Sequence, residues 1–183
     1  METVAIIVLI VILFGIWVVS VWRKLTVMEE HICNAMGQIG IQQSLRFDVL
    51  MELLNLAKSY APEESRSLIE NMKSKRNVII GQSTPEQVQE QECLLDDSLA
   101  CVALIAEHYP ELAGEKNYLK YLDALSCYEK MLQTGKLIYN DSVHKFNREV
   151  SRIPTRILAG ILGFRKKSHL ETVGKSRCFC SLT

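Results

Sequence analysis

The sequence predicts an all-α chain: an N-terminal transmembrane helix followed by an elongated antiparallel up-down-up-down four-helix bundle. Three observations carry that expectation. Residues 3–22 contain no charged side chain. Beyond them, apolar residues recur at alternating steps of three and four over two long stretches, the spacing of a packed helical seam. Breaks fall at Pro62, Pro85, Pro110 and Pro154, residues that open a helix at its first turn or stop one before them.

The apolar run TVAIIVLIVILFGIWVVSVW is 20 residues long, so as a helix it spans roughly 30 Å, the hydrocarbon thickness of a bilayer. Trp17 and Trp22 stand near one end, where indole rings favour the membrane interface. A buried helix of a soluble domain would show a polar face. A cleaved signal peptide would have basic residues in front and small residues at a cleavage site; here Glu2 precedes the run and Val21-Trp22 closes it. Arg23 and Lys24 follow directly. By the positive-inside rule the short N-terminus lies outside the inner membrane and the body in the cytoplasm, a single-pass arrangement.

Helix 1 then continues through Leu25, Met28, Ile32, Ala35, Ile39, Gln42, Arg46, Val49, Leu53, Leu56 and Tyr60, a coiled-coil-like seam with two polar interruptions. Helix 2 is expected from about Pro62 to Ile80, apolar at Leu68, Ile69, Met72 and Ile79. Gly81-Gln-Ser-Thr-Pro85 punctuates the chain, with Thr84 as N-cap and Pro85 at N1 of helix 3. That helix carries Leu94, Leu95, Leu99, Val102, Ala103, Ile105 and Ala106 and ends at Tyr109-Pro110. Helix 4 begins near Glu115 with the seam Tyr118, Leu122, Leu125, Glu129, Leu132, Lys136, Tyr139, Val143, Phe146, Val150 and Ile153. The four lengths, roughly 58, 29, 36 and 57 Å, nearly cancel when alternately rising and falling, which returns the chain to the membrane. The expected domains are therefore an anchor at 1–22, a helical bundle at 23–153 and a basic, partly apolar C-terminal segment and tail at 154–183.

Arg46 and Glu129 each interrupt a seam at the same height, roughly 36 Å above the membrane. A charge inside a packed seam needs a partner. The sequence predicts that they form a structural ion pair, with Asp48 or Lys136 as a second partner; the alternative is that Arg46 snorkels to solvent.

Net charge is zero, with 21 basic and 21 acidic residues, unlike the basic excess of a nucleic-acid binder. The charge is unevenly placed: residues 143–183 hold 9 basic and 2 acidic side chains, and residues 1–142 hold the other 12 and 19. Within 153–167, apolar residues alternate with Arg156, Arg165, Lys166 and Lys167, and Phe164 precedes the basic triplet. Those five residues are predicted to make a second, membrane-surface contact; the alternative is a hydrophobic plug on the bundle.

Chemistry-bearing motifs are few. There is no phosphate-binding loop, dinucleotide fingerprint or His-Glu-x-x-His. Gly37/Gly40 and Gly160/Gly163 are close-spaced glycines in helical or turn context, and the first pair reads as close helix packing. His31, His108, His144 and His169 are isolated from one another, and Cys33, Cys93, Cys101 and Cys127 read as small residues at helical positions. Cys178-Phe-Cys180 in the tail is too small a set for a metal site, and Cys180-Ser-Leu-Thr183 is a poor prenylation box. No cofactor and no metal are expected.

The stretch Leu45-Arg46-Phe47-Asp48-Val49-Leu50, running on to Leu53-Leu54 and Lys58-Ser59-Tyr60, resembles the Arg-Arg-x-Asp-Leu-Ile signature of the LemA family. Tyr109-Pro110-Glu111-Leu112 with Asn117, Tyr139-Asn140-Asp141 with Val143, Phe146 and Asn147, and Pro154, Ala159 and Gly163-Phe164 are similar to its later blocks. Leu45, Met51-Glu52 and Gly135 depart from the pattern. The resemblance covers about residues 22–167 and implies a single-pass bacterial membrane protein with a cytoplasmic antiparallel helical bundle. It implies little about activity, since the family has no established enzymatic function. The function expected is a non-catalytic scaffold or adaptor that presents its bundle to unidentified membrane or cytoplasmic proteins at the lipid bilayer, without nucleic acid. The alternatives are a hydrolase-type enzyme using a polar cluster at Arg46, Asp48 and Glu129, or a regulatory subunit of a membrane protease complex.

Overall fold

The structure, a computed structural model, describes residues 1–171. Within them lie helices α1 (Glu2–Ala57), α2 (Pro62–Ser74), α3 (Pro85–His108), α4 (Pro110–Gly114), α5 (Lys116–Ser151) and α6 (Thr155–Ile161), and no strand.

Helix α1 has 56 residues and runs without a break through Trp22, about 84 Å end to end. Its first part is long and apolar enough to cross a membrane, and none of its most apolar stretch is buried against the rest of the chain. Burial starts at Leu25, just past Arg23 and Lys24. From there α5 lies along α1: Lys24 Nζ is 2.7 Å from Glu149 Oε1 and Arg46 Nη1 is 2.8 Å from Glu129 Oε2, so residue numbers fall on one helix as they rise on the other.

On α5 the buried residues are Tyr118, Leu125, Leu132, Lys136, Tyr139, Val143, Phe146 and Val150, all on the seam read from the sequence. Ile153 departs from it and is exposed, because α5 ends at Ser151. On α1 the buried face is wider than a single seam, adding Met36, Gln43, Phe47, Leu50 and Leu54. The reason is that α2 and α3 also pack on α1, and a second neighbour buries a second stripe.

Helix α2 is shorter than the sequence suggests. It stops at Ser74, and residues 76–80 have no regular secondary structure before the turn at Gly81. Ile79 is buried, as its apolar character demands, but on the side of α1 rather than on a helical seam. Two glycines make that crossing possible. A Cβ at Gly40 would sit 2.0 Å from the carbonyl oxygen of Ile79, and one at Gly81 would sit 2.5 Å from Cys33 Sγ. The Asn77 N–H donates to Gln91 Oε1 at 2.8 Å, so α3 holds the segment from its other side. Gly37, by contrast, faces open space.

Helix α3 begins as its sequence requires. Gln87 N–H donates to Thr84 Oγ1 and Thr84 N–H donates to Gln87 Oε1, a reciprocal capping box, with Pro85 in the first turn. Its buried face is Val88, Gln91, Leu95, Ser98, Val102 and Ile105, a three-four seam that two polar residues conceal.

The side chains form two apolar cores. One gathers Phe47, Leu50, Leu53 and Leu54 of α1 with Met72, Leu95, Val102, Leu112 and Leu125. The other gathers Leu25, Ile32, Met36 and Ile39 with Ile79, Val88, Leu132, Val143, Phe146 and Leu170. After α5 the chain turns through α6, whose end is a Schellman cap: Gly163 has φ +81° and Phe164 N–H donates to the Ala159 carbonyl at 2.9 Å. Residues 164–171 then run back, without helix, along α5 and α1.

Candidate functional site

Between the two cores lies a layer of polar groups centred on the buried side chains of Gln43, Arg46, Gln91 and Lys136. Arg46 is buried, and its guanidinium is held on two sides: Nη2 donates to Asp96 Oδ1 at 2.9 Å and Nη1 is 2.8 Å from Glu129 Oε2. Lys136, also buried, reaches Glu92 at 2.6 Å. Gln43 donates to the Val88 carbonyl at 3.0 Å. Thus α1 supplies Gln43 and Arg46, α3 supplies Gln91, Glu92 and Asp96, and α5 supplies Glu129 and Lys136.

Arg46 and Glu129 therefore meet, but neither residue named as a second partner joins them. Asp48 turns outward to Arg76 at 3.6 Å, because its place on α1 is two residues round the helix from Arg46. Lys136 is two turns below Glu129 on α5 and takes Glu92 instead. The partner that sequence reading missed is Asp96. It sits beside the α3 seam position Leu95, on a helix whose register is hidden by Gln91 and Ser98. Arg76 also covers the Phe47 ring, its guanidinium carbon 4.3 Å from the centroid.

Burial raises the Glu92 carboxyl above its ordinary value, with Glu129's charge adding to the rise; the hydrogen bond and charge of Lys136, and the charge of Arg46, oppose it. The ionisation of Glu92 is thus held back.

A second arrangement lies lower on α5. Asn147 Nδ2 donates to the Lys167 carbonyl at 2.8 Å, and its Oδ1 accepts from the Lys167 N–H at 2.9 Å. One heptad earlier, Asn140 does the same to Leu170, at 2.7 and 2.8 Å. Seven residues of helix rise roughly 10.5 Å and three residues of extended chain about 10 Å, so the two spacings match. Tyr139 Oη donates to the Ser168 carbonyl at 3.1 Å and Lys136 Nζ to that of Glu171 at 3.4 Å. Burial raises the Tyr139 phenol, with Glu86's charge adding, which keeps it a donor.

This clamp decides where the basic segment goes. Lys167 pairs with Glu29 of α1 at 2.5 Å, Phe164 meets the Phe146 ring edge-on at 6.3 Å, and Leu170 is buried. Of the five residues expected at a membrane surface, Phe164 and Lys167 are thereby engaged with the protein, while Arg156, Arg165 and Lys166 remain exposed. Among the described residues no group of three or more His, Cys, Asp or Glu could hold a metal ion. Cys178 and Cys180 lie outside the described residues.

The sequence profile of the LemA family matches residues 35–178. The chain belongs to the LemA family. No curated protein matches it. The LemA match starts beyond the apolar stretch of α1 and includes every element that forms the polar layer and the clamp. Its motif residues converge in space. The Tyr60 and Tyr109 rings meet tilted, their centroids 6.4 Å apart, and Tyr60 Oη donates to Glu115 Oε1 at 2.8 Å, tying the end of α1 to the start of α5. In this LemA chain the Asn140/Asn147 pair, conspicuous in sequence as part of a motif, acts as a backbone grip.

Proposed function

We propose that this LemA-family chain is a non-catalytic, membrane-anchored adaptor, its helices forming an elongated antiparallel up-down-up-down bundle on the cytoplasmic side of the inner membrane. One observation carries the reading: Arg46 is consumed by Asp96 and Glu129. A hydrolase would need an acid, a base or an anion-binding cation free to meet a substrate. Here the buried cations are each committed to carboxylates of a neighbouring helix, the arrangement of a structural pin. The charge-free run at 3–22, followed by Arg23 and Lys24, supports the anchor and its sidedness.

The α6 region supports a second lipid contact. Pro154 and Thr155 border a cleft with Trp17, Ser20 and Val21, at the end of the apolar run, and Ile153, Ile157 and Ile161 are exposed there. Exposed apolar side chains beside Arg156, Arg165 and Lys166 suit an interface with anionic lipid, where each basic group contributes about 1 kcal/mol. A regulatory subunit of a membrane protease complex would differ from this adaptor only in its partner.

Photo-crosslinkers at the exposed Leu104 and Leu119, far from the anchor, test the reading in native membranes. The expected result is a defined second protein at those sites; recovery of copies of this chain alone would make it a structural homo-oligomer instead.

A further inference from the structure

Residues 164–171 are held mostly by their backbone. Asn140 and Asn147 each satisfy both the N–H and the carbonyl of one residue, three apart in the segment, and Tyr139 and Lys136 take two further carbonyls. Backbone groups are common to all residues, so such a grip selects extended conformation rather than sequence, with pockets for alternate side chains supplying preference. Those pockets are few here. Phe146 receives the aromatic edge of Phe164, Glu29 receives Lys167, and the lower apolar core receives Leu170. Arg165, Lys166, Ser168 and His169 stay exposed.

We propose that the α1–α5 groove is a binding site for extended peptide segments of a partner protein, with the pattern aromatic-x-x-basic-x-x-aliphatic, and that residues 164–171 occupy it in cis until displaced. This deepens the adaptor reading and rests on it. Two observations make the segment a displaceable occupant. Its ion pair with Glu29 joins two side chains that are each 41% exposed, a weak class of contact. A single aliphatic side chain, Leu170, is fully seated. Charge complementarity fixes the direction of the incoming chain: its basic residue lies at Glu29, on the anchor side of the groove, and its aliphatic residue three positions further, toward Lys136.

A fluorescein-labelled peptide Gly-Phe-Arg-Lys-Lys-Ser-His-Leu-Glu, the sequence of residues 163–171, tests this on the full chain in lipid nanodiscs. Lys167→Glu with Leu170→Glu weakens the cis occupant. Binding by anisotropy is expected to be about ten-fold tighter on that variant than on the unaltered chain, because a site filled in cis is available only for the fraction of time it is open. Adding Asn140→Ala and Asn147→Ala removes it, and a peptide with Glu at the Lys and Leu positions does not compete. On the unaltered chain, excess peptide speeds hydrogen exchange at the Lys167 and Leu170 amides, a readout that needs no folded variant. Unchanged exchange at saturating peptide, together with no anisotropy change on a variant of intact helicity, overturns the proposal. A disulfide formed between a copy carrying Glu29→Cys and another carrying Lys167→Cys also overturns it, since the occupant is then a second copy. Failure of peptide binding while crosslinks at Leu104 or Leu119 still capture a partner would leave the adaptor reading standing.

Discussion

Arg46 Nη1 and Glu129 Oε2 lie 2.8 Å apart, joining α1 to α5 at the level where the two apolar cores part. The pair is unequal. The Arg46 side chain is 6% exposed, whereas Glu129 is 40% and Asp96 66% exposed. Water can solvate the carboxylates if the cation is lost, but not the guanidinium if the carboxylates are lost. Asp96→Asn with Glu129→Gln is therefore expected to cost about 3 kcal/mol, the range for stranding a buried charge, and Arg46→Met about 1 kcal/mol. The triple variant should cost less than the sum, because both penalties refer to one interaction. Thermal unfolding in detergent micelles reads the series; strictly additive losses would mean that the three do not act as one unit.

Gly40 and Gly37 occupy the same helix one turn apart and should respond oppositely to alanine. At Gly40 the new methyl meets the Ile79 carbonyl, so the 76–80 segment must move; overpacking of that kind costs about 1–3 kcal/mol. At Gly37 the methyl meets nothing, and replacing a mid-helix glycine gains about 0.5–1 kcal/mol. Unfolding midpoints of the two single variants, measured side by side, check the contrast.

Glu92 makes stability depend on pH in a direction opposite to most carboxylates. Its folded-state value is raised above 4.5, so between 4.5 and that raised value the native chain binds a proton the unfolded chain has released. The contribution of this group to stability consequently grows as pH falls through the window and is lost as pH rises above it. Relative to the native chain, Glu92→Gln should gain stability as pH increases from 4 to 8. Midpoint differences between the two proteins across that range provide the measurement, and a difference that shrinks toward alkaline pH would contradict the assignment.

Ile157 and Ile161 should lie within reach of lipid if α6 rests on the bilayer. A fluorophore at position 157 of the full chain in nanodiscs is expected to be quenched by brominated acyl chains. Arg156→Glu with Lys166→Glu should weaken that quenching more in anionic than in zwitterionic lipid, since about 1 kcal/mol per basic group depends on surface charge. Equal effects in both lipids would remove the electrostatic part of the contact.

How much of this was legible in the chain depends on whether a residue's role is local. The α5 seam was readable because nearly every buried position from Tyr118 to Val150 is apolar or falls at a step of three or four. The Thr84 cap was readable because a capping box is completed within four residues. The end of α2 was not, since the helical pattern Leu68, Ile69, Met72 continues in number to Ile79; only the close approaches of Ile79 to Gly40 and of Gly81 to Cys33 on α1 show that the chain after Ser74 lies against α1 instead of continuing as helix. The α3 face was misread in part because Gln91 and Ser98 are buried as hydrogen-bonded polar groups, which no count of apolar residues detects.

By itself the sequence determined a chain of helices, an apolar first segment, the seam of α5 and the meeting of Arg46 with Glu129, because helical period and length place those residues at equal heights on facing stripes. The tertiary structure alone decided that Asp96 completes the ion cluster, that Lys167 turns to Glu29, and that Asn140 and Asn147 grip the returning segment. Those choices depend on which helix stands beside which and on carbonyls and N–H groups that every residue carries, and periodicity holds no record of either.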